Sequence, residues 1–379
     1  MTSRPVVAVV VDAVHPFSFG GRENRYRELS GHLSERFELH VYTMNWWKGP
    51  SVREEDGLTF HALCRHLPLY RGGSRSTLQA LWFAVACLRL LWRRFDVLEA
   101  DQIPFFPVLA LRLVATLRRR PLVGTWHEVW GPEYWRDYLG RAWRLGWWVE
   151  RAAMRAPDRI IAASAETAGR LESHLGGRTP VTVAPNGIDL ARVAAAEPAD
   201  EPCDLVAVSR LMPHKRLDLL LEAVAMLHAL DRPVTCRIIG DGPDRERLHR
   251  RAAELGISAA VDFRHDVREQ KDVYSLIKAG RVFAFPSVRE GFGVAALEAL
   301  ACGVPVVTTS ARDNLAQFLV ARSRDGIVCA PHLADFTASL MRGLAGGAER
   351  PSERAPEPWL AEYEWSLVAD RVTEVLRDP

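Results

Sequence analysis

Two carboxylates, Glu290 and Glu298, stand with seven residues between them in the stretch REGFGVAALEALACGVPVV, Arg289 to Val307. Glu290 follows a strand-like run, RVFAFPS, and Glu298 lies inside a helix-like run. Between them come Gly291, Phe292, Gly293 and Val294. Glycines let a backbone approach a ligand closely, and amides opening a helix favour hydroxyl or phosphate oxygens. Two helical turns rise roughly 11 Å, so the two carboxylates reach different parts of one extended ligand. Carboxylates are natural acceptors for paired hydroxyls, which suits a sugar at one end and a ribose diol at the other. Taken singly, each is more plainly a surface glutamate and a helix glutamate.

A second pair is cationic. In SRLMPHKRLDLLLEA, Arg210 and Lys215 stand five positions apart in a strand-to-helix loop. An arginine fork and a lysine point charge there could meet one diphosphate. Only four lysines occur, Lys48, Lys215, Lys271 and Lys278, which makes Lys215 at this position less easily a product of chance. After the first strand, Gly20 and Gly21 precede a helix, a weak anion-site signal. GDGPDRERL lacks the third glycine of a dinucleotide fingerprint, so Gly240 to Pro243 read as a structural turn. No zinc spacing, P-loop, G-x-S-x-G elbow or G-x-G-x-x-G after the first strand is present, which disfavours a plain NAD-dependent oxidoreductase.

The elements that must carry these groups alternate along the chain. Strand-like runs VVAVVVDA, FELHVYT, LTFHALC, DVLEA, LVGTWHE, RIIAAS and VTVAP fill the first half. DLVAVS, TCRIIG, VDFRH, RVFAFPS, PVVTT and GIVCA fill the second. Helical patterns separate most of them, for example Arg22 to Ser34 and Arg141 to Arg155. Continuous apolar strands imply parallel sheets covered on both faces, so the chain is α/β with two doubly wound, Rossmann-like domains. The 379 residues suit two such halves. The expected division is 1–190, an Ala/Glu/Pro/Asp linker over 191–203, a second domain over 204–362, and a closing helix over 363–379. GGAERPSERAPEP, Gly346 to Pro358, reads as a second soft stretch.

A formal net charge of +2 leaves no nucleic-acid footprint over the whole protein. Six scattered cysteines with no C-x-x-C read as buried, reduced thiols of a cytoplasmic protein. The N-terminus enters a strand with no signal peptide, and no apolar run is long enough to span a bilayer. Ten of the twelve tryptophans precede residue 150. They suit core packing or an aromatic groove or membrane-facing patch. The runs LWFAVACLRLLWRR and LALRLVATLRRR join apolar faces to arginine clusters. That is the composition of an amphipathic helix on an anionic membrane, and a domain helix with a basic last turn explains each run equally well.

The combination resembles the retaining GT-B glycosyltransferases of family four over nearly the whole chain. The matching pieces are FGGRENRYRELSGHL, TWHEVWG, VAPNGID, SRLMPHKRLDLLLEA, IIGDGPDRERL and PSVREGFGVAALEALACGVPVVTT, with EYEWSLVADRVTEVL as the closing helix. The resemblance implies two domains facing a central cleft, with that helix crossing back to the first. It implies a nucleotide-diphosphate sugar donor and no metal or other cofactor. By position, Glu298 would hold the donor ribose and Glu290 would sit beside the transferred sugar. Amides of Gly291, Phe292, Gly293 and Val294 would meet sugar hydroxyls and phosphate. Arg210 and Lys215 would neutralise the leaving diphosphate. Gly20 and Gly21 would close over the phosphates, and His127 would sit near the sugar and acceptor. Val267 falls among the base-contacting residues. The family often has glycine where this chain has His265, so uridine and guanosine both stay open.

The implied activity is transfer of a hexose-type sugar, with retention, to a hydroxyl of a lipid-linked or small-molecule acceptor. Catalytic roles fall to Glu290, Arg210, Lys215 and His127. The expected setting is the cytoplasm or the inner membrane face, with peripheral membrane contact and no nucleic acid. A GT-B sugar-nucleotide epimerase and a non-catalytic nucleotide-sugar-binding partner subunit are the rival readings. Glu290, Arg210 and Lys215 together disfavour the second, and the tryptophan-rich first half weighs against the first.

Overall fold

The computed structural model describes residues 4–18, 20–55, 57–71, 74–346 and 356–379. The chain forms two units, residues 1–187 with 365–379, and residues 188–364. Most of the soft stretch after Gly346 lies outside the described residues.

In the first unit, apolar runs such as VVAVV, VLEAD and LVGTW are buried along their whole length. Alternate side chains leave a strand on opposite faces, and both faces here are covered. Val6, Ala8 and Val10 join one core, while Val7 and Val9 join the other. Helices Thr77–Cys87, Phe105–Arg118, Trp143–Met154 and Ala165–Leu175 bury side chains in the first core. Helices Gly21–Leu33 and Trp365–Arg377 bury theirs in the second.

The sheet order is Val181–Val183, Arg159–Ala162, Leu122–Trp126, Val97–Asp101, Val6–Val10, Glu38–Asn45, Leu58–Arg65 and Val52–Glu55. Every pairing is parallel except the last, where the charged strand VREE closes one edge. The chain builds outward from Val6–Val10 in one direction, then resumes on its other side with Val97–Asp101.

The second unit repeats this plan. Its six parallel strands run Val261–Arg264, Cys236–Ile239, Cys203–Val208, Gly280–Phe285, Val306–Thr309 and Gly326–Cys329. Again the first strand, Cys203–Val208, is central, and the order reverses between it and Gly280–Phe285.

The stretch read as a linker, 191–203, contains most of a short helix, Leu190–Ala195, whose N-cap Asp189 accepts from the Arg192 amide at 2.7 Å. The chain changes unit earlier, between Gly187 and Ile188, and returns between Glu364 and Trp365. All six cysteines are buried and free.

The closing helix is tied to the first unit by a stripe at helical spacing, Trp365, Val368, Ala369, Val372, Val375 and Leu376. Gly187 makes room for the Trp365 indole, because a Cβ there would collide with the ring. Trp365→Ala is expected to destabilise the first unit by about 3–5 kcal/mol in urea unfolding. Leu367→Ala, at a side chain 45% exposed on the same helix, is expected to stay within about 0.5 kcal/mol.

Candidate functional site

In an open parallel sheet, ligands bind beyond the carboxyl ends of the strands where the order reverses. In the second unit the two loops flanking that point are those after Cys203–Val208 and Gly280–Phe285. The first carries Arg210 and Lys215, and the second carries Glu290 and Gly291. The loops are laced together. The Val288 amide donates to the His214 carbonyl at 2.9 Å, and Lys215 Nζ meets Glu290 Oε1 at 2.5 Å. Both side chains of that ion pair are mostly buried, at 16% and 10% exposure.

Neighbouring segments hold each loop. Arg289–Glu290 pairs in parallel with Asp313–Asn314, and the Leu315 amide donates to the Glu290 carbonyl at 2.9 Å. Asn314, fully buried, donates to the Thr309 carbonyl at 2.7 Å, and Thr309 Oγ1 donates to the Ser287 carbonyl at 2.6 Å. On the other side, the turn Gly240–Pro243 lies against the backbone of Ser209 and Leu211, so no side chain fits at Gly240 or Gly242. That turn accepts from the Leu211 amide through Asp241 at 2.9 Å. It therefore sets the path of the loop bearing Arg210.

Gly293 caps helix Val294–Ala301 at φ 92°, a left-handed conformation, and a Cβ there would strike the Ala316 methyl. Phe292 is a core side chain packed near Tyr363, ring centroids 5.7 Å apart, so only its amide is available to a ligand. Glu298, one face further along this helix, is 8% exposed. Gln270 Nε2, at the start of helix Gln270–Lys278, donates to Glu298 Oε1 at 2.7 Å. Burial pushes the Glu298 carboxyl up to about 8, and the Gln270 hydrogen bond offsets only part of that.

Three cations act on the imidazole of the Lys215 loop. Burial first, and then Arg289, Lys215 and Arg210, hold the His214 imidazole down at about 3. His214 is therefore neutral at ordinary pH, and it registers three cations converging on one loop. Val267 packs against the same core cluster as the Glu298 helix. His265 is tethered, with Nδ1 2.8 Å from the Gly240 carbonyl and Nε2 3.0 Å from His249 Nε2.

The first unit has its own group at its own reversal point, after Val6–Val10 and Val97–Asp101. Asp12 and Asp101 end these strands and are buried. Arg22 bridges them, with Nη2 3.1 Å from Asp12 Oδ1 and Nη1 3.2 Å from Asp101 Oδ1. Arg75 also meets Asp12, and Gln79 Nε2 donates to it at 3.1 Å. His127 Nε2 lies 3.0 Å from Asp101 Oδ2, and the His127 amide donates to Gln102 Oε1 at 2.5 Å. Against the effect of burial, Arg22 and then His127 hold Asp101 down at about 2. Burial works against the Arg22 charge too, but Asp101, Glu23 and Asp12 raise its pKa overall. Gly20 is the N-cap of helix Gly21–Leu33, and the first turn already carries the buried carboxylate of Glu23.

Thus Arg210, Lys215, Glu290, Gly291, Phe292, Gly293, Val294, Glu298 and Val267 belong to the second unit. Gly20, Gly21 and His127 belong to the first. Sequence reading missed Asp12, Arg22, Asp101, His214 and Gln270, since each acquires its role from a partner distant in the chain, and it missed Asn314, whose side chain bonds the nearby Thr308 and Thr309. Among the described residues no group of three His, Cys, Asp or Glu side chains is placed to hold a metal ion.

The model of the family described as "Glycosyl transferases group 1" matches residues 193–353, and that of "Glycosyltransferase Family 4" matches residues 19–192. A glycogen synthase of Mycobacterium tuberculosis is 27% identical over 290 residues, which cover 75% of this chain and 69% of that protein. A D-inositol 3-phosphate glycosyltransferase of Streptomyces bingchenggensis is 32% identical over 234 residues, covering 54% of this chain and 51% of its own. The chain thus spans about half the length of that second relative. The sucrose-phosphate synthase of Thermosynechococcus elongatus superposes with a TM-score of 0.79 at 18% identity, covering 99% of both chains.

The raised Glu298 carboxyl has a consequence for stability. Its folded-state pKa lies above its ordinary value of 4.5, so the folded protein retains a proton that the unfolded chain releases. The Glu298 contribution to stability therefore falls as pH rises from about 4.5 to about 8, and levels off above. Glu298→Gln is expected to flatten that fall, read from urea midpoints of the ligand-free protein across this pH range.

Proposed function

The chain belongs to the family-four glycosyltransferases of GT-B fold, and from that premise we propose a retaining transferase that moves a hexose-type sugar from a nucleoside-diphosphate sugar to a hydroxyl acceptor. The observation that carries this reading is the Lys215–Glu290 pair at the second unit's reversal point, with Arg210 and Arg289 beside it. Arg289, Lys215 and Arg210 all act on the His214 imidazole, and cations gathered at one loop suit a diphosphate, with the neutral His214 adding no charge of its own.

In this reading Glu298 accepts from the ribose diol, and Gln270 keeps its carboxylate turned for that role. Amides of Gly291 to Val294 meet sugar hydroxyls and phosphate, with the helix start favouring the anion. Val267 lies at the base. Glu290, anchored by Lys215, sits beside the transferred sugar. The bond from the anomeric carbon to the diphosphate oxygen breaks as positive charge grows on the sugar and negative charge on the phosphate. Arg210 and Lys215 stabilise the second of these, acting where charge develops and without any metal. The acceptor oxygen bonds to the anomeric carbon on the leaving-group face, and its proton passes to the departing phosphate oxygen. Retention follows from that geometry.

The first unit supplies the acceptor side. Its Asp12 and Asp101 carboxylates meet Arg22 and Arg75, which suits neutral hydroxyls better than a phosphate. Asp101 fixes the imidazole, and His127 orients an acceptor hydroxyl. The acceptor is a lipid-linked or small-molecule hydroxyl compound, and the enzyme works in the cytoplasm or at the inner face of the membrane.

Two experiments test the reading. Thermal-shift screening with UDP, GDP and their sugar conjugates should give a shift with one base. A ligand at 100 times its dissociation constant stabilises by roughly 2.7 kcal/mol. That shift should vanish in Glu298→Ala, and a wild-type shift there would remove Glu298 from the donor site. With the donor found, Lys215→Ala and Arg210→Ala are expected to lower kcat by on the order of 10²–10³-fold, roughly 3–4 kcal/mol. Wild-type turnover in either variant would sink the leaving-group role.

A further inference from the structure

A surface helix normally turns polar side chains to water. Helix Thr77–Cys87, TLQALWFAVAC, contains no charged residue. Its inner face buries Gln79, Ala80, Phe83, Ala84, Ala86 and Cys87. Its outer face, at spacings of three and four, presents Leu78, Leu81, Trp82 and Val85, between 44% and 64% exposed. Trp92, in the turn that follows, is 79% exposed.

The pattern extends beyond this helix. Fifteen large apolar side chains are exposed among the described residues, and nine lie on helices Thr77–Cys87, Phe105–Arg118 and Trp143–Met154 or the turn Leu88–Trp92. These helices pack their buried sides into one core and form one layer of the first unit. The opposite layer, helices Gly21–Leu33 and Trp365–Arg377, has one such side chain, Leu367. Contiguous exposure on one layer marks an interaction surface.

Charge narrows the partner. Residues 75–155 hold thirteen arginines against seven carboxylates, while the whole chain stands at +2. Three of those carboxylates, Glu99, Asp101 and Glu150, are buried and do not offset the surface. The two basic helix ends meet, since Arg118 Nη2 donates to the Arg93 carbonyl at 3.3 Å. Arg93, Arg94, Arg119 and Arg120 are exposed around the same place. A second copy docked on this layer would set like charges against like. An anionic lipid surface matches both features, taking the apolar stripe at the acyl boundary and the arginines at its phosphates. Among the described residues no helix is long and apolar enough to cross a membrane.

We propose that the first unit docks on an anionic lipid bilayer through this layer, inserting Leu78, Leu81, Trp82, Val85 and Trp92 between lipid headgroups that Arg93, Arg94 and Arg119 contact. The surface goes beyond the donor and acceptor reading, and its binding needs neither substrate.

The full chain is sedimented with vesicles rich in phosphatidylglycerol, and with vesicles of phosphatidylcholine alone. Binding is expected to the first, weakening steeply with salt, and at least roughly tenfold less to the second. Trp82→Glu with Val85→Glu should lower it by on the order of tenfold or more, and Arg93→Glu by about fivefold. These sites are exposed, so an unchanged circular dichroism spectrum and an unchanged nucleotide thermal shift would show an intact fold. No binding by the folded protein at low salt overturns the proposal. So does undiminished binding by the double variant, or a concentration-dependent dimer that the double variant abolishes. A nucleotide shift without vesicle binding would refute the docking surface alone, while vesicle binding without any shift would refute the donor reading alone.

Discussion

Both units depend on one constraint, the placing of the first strand at the middle of a parallel sheet. Once Val6–Val10 and Cys203–Val208 are central, the chain must leave each in opposite directions in turn. Right-handed crossovers then put helices on both faces. Between the first strand and its later neighbour the two loops diverge, and their strand ends are left uncovered. In one unit those ends carry Asp12 and Asp101, in the other the loops with Lys215 and Glu290. The polar groups of each site are thus brought together by topology from positions 75 and 79 apart in the chain.

The two sites then differ in electrostatic kind. In the first unit, Arg22 answers Asp12 and Asp101 at once, and His127 rests on the same carboxylate. Arg75 meets Asp12 as well, so the Asp12 and Asp101 carboxylates face two cations. In the second unit, Lys215 pairs with Glu290, and the His214 imidazole is held neutral by burial and by Arg289, Lys215 and Arg210. Burial cannot be the whole cause there, since Arg289, Lys215 and Arg210 act on the imidazole in the same direction. One plan therefore yields two polar groups of different make-up, carboxylates gathered around Arg22 in one unit and cations gathered around His214 in the other.

The strands were legible because burial on both faces demands continuous apolar runs. All thirteen runs read from the sequence are strands of the two sheets, and the edge strand missed, VREE at Val52–Glu55, is the one with charged side chains. The glycines of the EGFG turn were legible as well, and Gly293 shows why, since its φ and the Ala316 methyl both exclude a side chain. The partners were not. Lys215 and Glu290 are 75 positions apart, and Arg22 and Asp101 are 79 apart. Their contacts follow from sheet order, which no local pattern encodes. The unit boundary was placed late because Leu190–Ala195 is short and alanine-rich, and its Asp189 cap resembles a loop residue. The tryptophans split for a similar reason. Trp126 and Trp135 are buried while Trp82, Trp92 and Trp148 are exposed, and composition cannot tell which side of a helix meets the sheet.

Glu298 carries a burial cost that the fold itself only partly offsets. A carboxylate on the inward side of a helix loses hydration, and a single Gln270 donor does not replace it. An alanine there would relieve that burden without disturbing the helix, so the glutamate's value lies outside folding stability. A vicinal diol offers two donors to one carboxylate, and it would favour the charged form that burial opposes. Glu290 needs no such relief, because Lys215 already satisfies it. The two carboxylates of one turn and helix therefore play opposite parts. One is settled within the protein and holds the loop, and the other, in the proposed donor reading, answers to a hydroxyl-rich partner.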